Sequence, residues 1–448
     1  MPKGGKSGGM QIAKDPEDKV RELQRALYRA AKRSENRRFY ALYDKVYRKD
    51  ILRRAWEKVK ANRGAAGVDG QTIQTIEESG VEAFIDQLQR QLKEGQYRPQ
   101  AVRRVNIPKP DGRQRPLGIP VVRDRVVQAA LKIVVEPIFE ADFEGCSYGF
   151  RPKRSAHDAN EMIRETVNRG HDWVVDADIE NYFDTIDQGK LMEMVAKRIS
   201  DRRVLKLIRK FLEAGVLEDG KVRATTTGTP QGGVLSPLLA NIYLNYLDKV
   251  WRGWVNEVGV LVRYADDLVI LCGTKAKAQE ALRRLESVLQ ELGLRLHPVK
   301  TRLVALREGH EGFDFLGFHH RRVKSWRYRR YYLQRWPRAK AMVGIREKIR
   351  SIVGGRYGLS RNLEEVIRKL NPVLRGWGNY FARGNSSRHF VALDSYVAER
   401  LMLFLSKKHG KSGRGWGQRW KGIDLRAAGL YRLGGTVRWA RQPVNAGG

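Results

Sequence analysis

The hydrophobic and polar positions along the chain predict alternating helices and strands. The segment 235–250 has apolar residues at helical spacing behind a Ser-Pro start, and 276–292 has the same spacing and stops at Gly293. The apolar run that begins at Trp173 and the two short runs around 266–267 are typical of buried strands. The order strand, helix, hairpin, helix, strand indicates an α+β layer with antiparallel pairing.

Turns and helix boundaries divide the rest of the chain. The stretch 101–121 has β-branched residues on both sides of Pro-Asp-Gly, which predicts a hairpin, and a strand is expected at 294–304. Residues 1–14, rich in Gly and Lys, are expected to be disordered. Asp15-Pro16 has the composition of a helix N-cap and first residue, and a basic helical segment is expected from there to about residue 95. Further helices are predicted at 361–382 and 389–407.

Charge narrows the choice of partner. The 448 residues include 86 Lys and Arg against 50 Asp and Glu, a formal net charge of +36. Such an excess, spread along the chain, implies a polyanionic partner, and nucleic acid is the leading candidate. An anionic membrane surface is the alternative, but no run approaches the roughly 18 apolar residues of a spanning helix. The polar N-terminus lacks the apolar core of a signal peptide, so we expect a soluble intracellular protein.

Two regions concentrate this charge. Residues 318–350 contain twelve Lys or Arg and one acid, with six aromatic residues interleaved, and residues 400–441 contain eleven Lys or Arg and one acid. A solvated basic face above core aromatic residues would explain the first region, but unpaired cations at this density repel one another without a polyanion. Nucleic-acid binding by both regions is expected, with a domain boundary near 320–340.

One pair of carboxylates needs its own explanation. Asp266 and Asp267 lie side by side within RYADDLVILC (263–272), between two apolar runs. Adjacent carboxylates repel one another, so the pair predicts either a solvated turn or a metal site. Asp178 ends another apolar run and can supply a second vertex if the two strands are neighbours, as a two-metal phosphoryl-transfer site requires. With only Cys146 and Cys272 present, oxygen ligands are the expected ones.

Nine stretches, in order along the chain, resemble the sequence blocks of group II intron-encoded reverse transcriptases and maturases. A single block is weak evidence, whereas so many in register are specific. The blocks are NRGAAGVDG (62–70), IPKPDGRQRPLGIP (107–120), SYGFRPKRSAHDA (147–159), DADIENYFDTI (176–186), TPQGGVLSPLLANIYL (229–244), YADD (264–267), LRLHPVKT (294–301), FDFLGF (313–318) and LNPVLRGWGNYF (370–381).

The resemblance implies an α+β right-hand polymerase fold, in which fingers and palm carry an antiparallel sheet and an α-helical thumb, or maturase domain, follows. The expected divisions are a disordered basic N-terminus at 1–14, a helical extension of the fingers at 15–95, fingers and palm at 96–320, an RNA-binding thumb/maturase domain at 321–410 and a basic nucleic-acid-binding tail at 411–448.

The resemblance also implies the metal ligands. Asp178 and Asp266 would be the principal ligands of two Mg²⁺ ions, with Mn²⁺ as an alternative ion, the Ile179 carbonyl assisting and Asp267 nearby as a third acid. Asp176 alternates with Asp178 and would share its strand face, but the spacing of the family motif to its aromatic residue selects Asp178.

The nucleotide site follows from the same blocks. Phe183, five residues after Asp178, would exclude a ribose 2′-hydroxyl and so favour deoxynucleotides, unless it is a core residue. Lys109 and Arg115 would hold the incoming triphosphate, unless they lie on a solvated hairpin face. Gln231 would approach the nucleotide and its template base, although alone it indicates an ordinary loop.

Two more assignments come from the resemblance. Lys300 would act as a general acid toward pyrophosphate, with a plain surface lysine an equally open alternative. Arg151 would contact the template, while Tyr148 and Phe150 are expected to pack in the interior.

Taken together, the resemblance implies an RNA-directed DNA polymerase of the bacterial cytoplasm that extends a DNA primer on an RNA template with dNTPs and also binds group II intron RNA and target DNA. Its maturase role would assist splicing and retrohoming of the mobile element. Two alternatives stay open: an RNA-binding splicing maturase without polymerase activity, and a domesticated reverse transcriptase acting in DNA repair or phage defence. The intact carboxylates argue against the first, and 370–381 favours an intron ancestry.

Overall fold

A computed structural model describes residues 16–108, 114–218, 221–223, 227–229, 232–327, 329–354, 360–410 and 424–438. The helices are α1 (Pro16–Arg33), α2 (Tyr43–Val46), α3 (Lys49–Ala61), α4 (Ile73–Ser79), α5 (Val81–Lys93), α6 (Val122–Glu140), α7 (Ala156–Asn168), α8 (Tyr182–Thr185), α9 (Gln188–Ala196), α10 (Arg202–Glu213), α11 (Ser236–Arg252), α12 (Lys275–Glu291), α13 (Ala339–Val353), α14 (Leu363–Phe381) and α15 (Ser387–Lys408). The strands are β1 (Val102–Pro108), β2 (Gln114–Ile119), β3 (Trp173–Asp178), β4 (Val216–Glu218), β5 (Lys221–Arg223), β6 (Val260–Tyr264), β7 (Asp267–Cys272), β8 (Arg302–Ala305), β9 (Gly312–Phe315), β10 (Phe318–Lys324) and β11 (Tyr331–Pro337).

The central sheet has the strand order β6-β7-β3-β8, and every neighbouring pair is antiparallel. Val175 and Ile270 face a large core that includes α6, α11 and α12, whereas Val174 and Val269 face a second core with α7 and β9–β11. Burial of both faces explains why the strands are near-continuous apolar runs. The predicted antiparallel α+β layer is confirmed.

The N-terminal half builds a second sheet, ordered β2-β1-β4-β5. The hairpin predicted at 101–121 is confirmed as β1 and β2, which pair antiparallel. Helices α1 and α3 pack on α6, and α6 was not predicted from the sequence. Fifteen of its residues are buried, so apolar side chains surround it and the helical period that would have revealed it is weak.

The strand predicted at 294–304 is shorter than expected. β8 begins only at Arg302, and Leu296 makes a single bridge with Ile179 before the chain leaves the sheet. Pro298 follows at once, and since proline has no N–H to donate, it interrupts the ladder.

The C-terminal part consists of a small sheet, β11-β10-β9, followed by helices α13–α15, which form their own core. The helices predicted at 361–382 and 389–407 are confirmed as α14 and α15. Residues 424–438, expected to belong to a basic tail, pack on them. Leu433 is fully buried, and its N–H donates to Asp394 Oδ1 over 2.9 Å. This segment is therefore part of the helical core.

A buried arginine ties the central sheet to its surroundings. The Arg263 side chain is fully buried and donates to both carboxylate oxygens of Asp248, which is also fully buried. It also donates to Asn241 Oδ1 over 3.0 Å and to the Ala265 carbonyl over 2.8 Å. A fifth bond reaches Ser147 Oγ over 2.8 Å. One guanidinium thus joins β6, α11, the 265–266 turn and the loop before α7.

We expect Arg263→Met to lower the free energy of unfolding by about 3–5 kcal/mol, because it leaves the Asp248 charge buried without a partner. Urea-induced unfolding of the variant measures the loss. The matched control is Arg302→Met, whose ion pair with Asp176 is half exposed and should contribute less than about 1 kcal/mol. Equal losses in the two variants would contradict the assignment of Arg263 as the central tie.

Candidate active site

Three carboxylates lie at one edge of the central sheet. Asp178 ends β3 and stands directly opposite Asp267, which begins β7. Asp266 belongs to the two-residue turn between Tyr264 and Asp267, and Ala265, the other turn residue, has a φ of 58°. A positive φ at the first turn position is the geometry that matches the twist of a hairpin. The antiparallel register therefore brings the three acids predicted from the sequence to the same place.

The turn is supported from behind by the loop that precedes α7. The Tyr148 N–H donates to the Arg263 carbonyl over 2.8 Å, and the Asn241 side chain donates to the Gly149 carbonyl over 2.8 Å. A Cβ on Gly149 would lie 2.4 Å from the Ala265 nitrogen. Only glycine permits this approach, so the loop and the turn are held in backbone contact.

The electrostatics of the site disfavour three ionised acids together. The Asp267 side chain is exposed, yet the protein around it limits its hydration, and this, with the negative charges of Asp266 and Asp178, raises its pKa to about 6. Because the carboxylate form is disfavoured in the folded chain, this group costs stability as the pH rises from its usual pKa through about 6. A bound cation would remove that cost.

Asp176 and Asp178 share a face of β3, as their alternation predicts, yet they have different partners. Arg302 on β8 donates to Asp176 over 3.1 Å. Lys300 Nζ lies 2.6 Å from Asp178 Oδ2. The lysine is brought there because the His297 N–H donates to the Asp178 carbonyl over 2.8 Å. Lys300 therefore touches the site and is not a remote surface residue.

The Ile179 carbonyl is not used by the neighbouring 295–297 segment. In the bridge between Ile179 and Leu296, the hydrogen bonds are accepted by the carbonyls of Asp178 and Arg295. The carbonyl of Ile179 itself therefore points to the other side of β3, where β7 begins. It therefore lies on the side of β3 from which Asp267 comes.

The donor set suits a hard divalent cation. The side chains of Asp178 and Asp266 and the Ile179 carbonyl offer oxygen ligands only, the type that Mg²⁺ and Mn²⁺ prefer. Within the part of the chain that the structure describes, no group of three or more His, Cys, Asp or Glu side chains is arranged to hold a metal ion by itself. An open site is the expected form where substrate phosphates and water complete the coordination.

Phe183 lies on the short helix α8, which begins four residues after Asp178. Its ring is half-buried and packs edge-to-face on Tyr182, with 5.3 Å between ring centroids. The Thr229 N–H donates to the Phe183 carbonyl over 2.8 Å. Further along this loop, a Cβ on Gly232 would lie 2.4 Å from the Gly118 carbonyl oxygen of β2. The loop thus runs from the Phe183 helix to the N-terminal sheet.

Several predicted residues fall outside the described part of the chain. Lys109 and Gln231 are among them, as is the side chain of Arg115, whose backbone lies in β2 opposite Ile107.

The buried Arg151 side chain forms its hydrogen bonds within the protein. It donates to Glu140 over 2.8 Å and to the carbonyls of Glu144 and Ser147 over 2.6 and 2.8 Å, and its side chain is 4% exposed. These bonds satisfy the guanidinium, so the arrangement does not favour the predicted template contact.

The two aromatic neighbours of Arg151 differ. Tyr148 is buried, as predicted, but the prediction is wrong for Phe150, which is 53% exposed. A φ of 55° turns Phe150 outward, with its ring centroid 6.2 Å from that of Tyr264.

Arg338 was not singled out from the sequence. It lies between β11 and α13, half-buried, where its positive charge opposes part of the rise in the pKa of Asp267 and, after His319, contributes to the lowered pKa of Asp314. No sequence block contains it, although FDFLGF (313–318) contacts its backbone, since the Arg338 N–H donates to the Gly317 carbonyl over 3.0 Å. A lone arginine within a basic region carries no distinguishing signal.

Two segments of the chain match known protein families. Residues 107–320 match the family described as reverse transcriptase (RNA-dependent DNA polymerase), and residues 342–422 match the group II intron maturase-specific domain. Reverse transcriptases depend on divalent metal ions, and the two domains imply RNA and DNA as partners. None of the described helices is long and apolar enough to cross a membrane.

Similar proteins include other intron-encoded proteins. Protein YkfC of Escherichia coli (strain K12) is 36% identical over 346 residues, which cover 68% of this chain and 89% of YkfC. The group II intron-encoded protein LtrA of Lactococcus lactis subsp. cremoris is 42% identical over 214 residues, 47% of this chain but 35% of LtrA. An uncharacterized 91 kDa protein in the cob intron of Schizosaccharomyces pombe is 28% identical over 83% of this chain and 55% of that protein.

Among solved structures, a partial Cas6-RT-Cas1–Cas2 complex is 26% identical, with a TM-score of 0.34, over 56% of this chain and 41% of that chain. The two matched domains and the extent of the match with YkfC decide the family. The chain belongs to the group II intron-encoded reverse transcriptases, in which a reverse transcriptase domain is followed by an intron-maturase domain.

Proposed function

We propose that the chain extends a DNA primer on an RNA template by Mg²⁺-dependent nucleotidyl transfer and that it binds group II intron RNA to assist splicing and retrohoming. Residues 96–320 would form fingers and palm, with 15–95 as a helical extension of the fingers. Residues 321–410 would form the thumb/maturase domain. The packing of 424–438 on α14 and α15 favours including that segment in the thumb.

The register of β3 and β7 is the observation that carries the polymerase proposal. It sets Asp178 opposite Asp267 and puts Asp266 in the adjoining turn. Two carboxylates from neighbouring strands, fixed by backbone hydrogen bonds, are what a two-ion phosphoryl-transfer site requires of the protein.

Each acid would have a distinct part. Asp178 and Asp266 would hold the ions, with the Ile179 carbonyl and Asp267 beside them. When bound, the ions would activate the primer 3′-hydroxyl and stabilise the charge on the leaving pyrophosphate. Lys300 would release Asp178 as the ions bind, and its ammonium would then be free to donate a proton to pyrophosphate.

Nucleotide selection would depend on Phe183. The half-buried Phe183 ring, five residues after Asp178, would meet a 2′-hydroxyl on the incoming sugar. Lys109, Arg115 and Gln231 would complete the nucleotide site.

RNA binding by the thumb is supported by two exposed arginines of α14, in a groove that Glu364 also lines. Arg368 and Arg375 lie two turns apart on α14 and line a groove of about 510 Å³ with Gly429. Exposed cations at this spacing on one helical face can follow a phosphate backbone.

Asp266→Asn should reduce primer extension on an RNA template by more than about 100-fold, because it removes a metal ligand without changing side-chain size. The measurement is extension with dNTPs and Mg²⁺, with RNA affinity recorded in parallel. Asp176→Asn is the matched control, since that carboxylate shares the strand face but pairs with Arg302.

Extension lost in D266N and retained in D176N, with unchanged RNA affinity in both, is the expected result. A folded, RNA-binding wild-type chain that extends no primer would instead favour the maturase without polymerase activity.

Phe183→Ala should raise the use of ribonucleotides relative to deoxynucleotides by about 10- to 100-fold, because it removes the obstacle to the 2′-hydroxyl. Single-nucleotide incorporation of dNTP and rNTP, compared as kcat/KM, measures the ratio. Phe183→Tyr keeps the ring and should keep the preference. An unchanged ratio in the alanine variant would identify Phe183 as a packing residue only.

The Mg²⁺ concentration that half-saturates extension should rise as the pH falls below about 6, by up to about tenfold per unit. The reason is that a proton on Asp267, whose pKa is raised to about 6, competes with the cation. Titrations of Mg²⁺ between about pH 5 and pH 7.5 test this. In Asp267→Asn the pH dependence should weaken, and a pH-independent wild-type value would exclude Asp267 from the metal site.

A further inference from the structure

The hairpin of β10 and β11 ends in a tryptophan that nothing in the polymerase site uses. Trp326 is 94% exposed, the highest value among the large hydrophobic side chains of the described residues. Exposing a whole indole to water is unfavourable, since tryptophan is highly buried on average. A surface tryptophan held in this way therefore points to a partner that covers it.

The hairpin presents this side chain on an ordered support. Seven residue pairs join β10 to β11, from Phe318 with Pro337 to Lys324 with Tyr331. The loop beyond them is closed by two hydrogen bonds: the Ser325 N–H donates to the Arg330 carbonyl over 2.8 Å, and the Arg329 N–H donates to the Ser325 carbonyl over 3.0 Å. The tryptophan thus projects from a defined loop.

The tip carries positive charge and no acid. The stretch RRVKSWRYRR (321–330) has six Lys or Arg in ten residues. Arg322 pairs with Asp172 over 2.9 Å at the base of the hairpin. Both Arg322 and Lys324 lie over the Tyr331 ring, within 6.0 Å of its centroid. Cations therefore flank the tryptophan on a surface that holds little negative charge of its own.

The tip is remote from the carboxylates. Arg322 contacts Asp172, the residue before β3, whereas Asp178 ends that strand. Asp172 and Asp178 are six residue steps apart along the strand, a distance of about 20 Å at about 3.3 Å per residue. Trp326 lies beyond Arg322, so a base stacked on it would not be the templating base.

We propose that this hairpin tip (described residues 321–327 and 329–331) is an RNA-binding surface outside the polymerase cleft, on which Trp326 stacks with an unpaired base while the flanking cations bind the adjoining phosphates. The inference rests on the proposed binding of structured RNA and adds the feature recognised: a bulged or looped nucleotide. Paired bases are covered by their neighbours, whereas an unpaired base offers a free face to an aromatic ring.

Charge and shape favour RNA over the other candidate partners. A membrane or protein interface would need a contiguous apolar patch, but Trp326 is surrounded by Arg327, Lys324 and Arg330. One aromatic ring between cations matches the alternating bases and phosphates of a nucleic-acid strand.

The test compares binding of two short RNA hairpins that differ only by one bulged adenine, replaced by 2-aminopurine for fluorescence. Trp326→Ala should weaken binding of the bulged RNA by about fivefold or more and leave the fully paired RNA unchanged, since stacking contributes about 1–3 kcal/mol per base. Trp326→Phe should retain part of the preference. Tyr40→Ala, at another exposed aromatic residue with 80% exposure, is the matched control and should bind both RNAs normally.

Salt dependence separates stacking from charge. Trp326→Ala should leave the slope of log Kd against log salt unchanged, whereas Lys324→Ala and Arg330→Ala should each lower it by about 0.7–0.9 and weaken both RNAs. Because the indole is almost wholly exposed, its replacement should not unfold the chain, and a thermal melt checks this.

Two results would overturn the proposal: wild-type affinity of Trp326→Ala for the bulged RNA with no change of 2-aminopurine fluorescence on binding, or a change of oligomeric state in Trp326→Ala, which would make the tip a protein interface. Primer extension by the wild-type chain, measured in parallel, distinguishes failure of the polymerase proposal from failure of the hairpin-tip proposal. Bulge-dependent binding without extension would refute the polymerase alone, and extension without bulge preference would refute the hairpin tip alone.

Discussion

The buried Arg263–Asp248 pair is the constraint on which the arrangement of the active edge depends. A guanidinium without contact to water is tolerated only if its donors are satisfied, and here Asp248, Asn241, Ser147 and the Ala265 carbonyl accept from it. Those acceptors belong to α11, the turn and the loop before α7. Their positions are therefore coupled, because moving any one of them would leave a buried charge or polar group unpaired.

This coupling explains how a strained and repulsive turn is maintained. Ala265 has a left-handed φ, and Asp267 has a pKa raised by limited hydration and by its acidic neighbours. Each feature costs free energy that the turn alone could not supply. The packing and hydrogen bonds of the loop behind the turn offset this free energy. In the proposed cation site, the ligands would then need little rearrangement when the ions bind.

The sequence was sufficient for features encoded by local pattern and insufficient for those that depend on distant partners. The apolar runs and the turn after β1 predicted the hairpins, and the spacing of the family motif favoured Asp178 over Asp176, which the structure pairs with Arg302. Helix α6 was missed because burial on nearly all sides removes its amphipathic period. The inward position of Arg151 depends on Glu140, and the outward position of Phe150 on a positive φ, and neither is visible in the residue types alone.

The distribution of charge links the catalytic edge to the RNA-binding surfaces. Cations near the carboxylates are engaged within the protein: Lys300 with Asp178, and Arg302 with Asp176. The cations at 321–330 greatly outnumber the acids around them. The field of this excess positive charge extends about a Debye length, roughly 8–10 Å at physiological salt, so it can attract a polyanion without disturbing an acidic site about 20 Å away. Separating the two along the hairpin allows one chain to bind RNA strongly while it keeps the negative potential that divalent ions require.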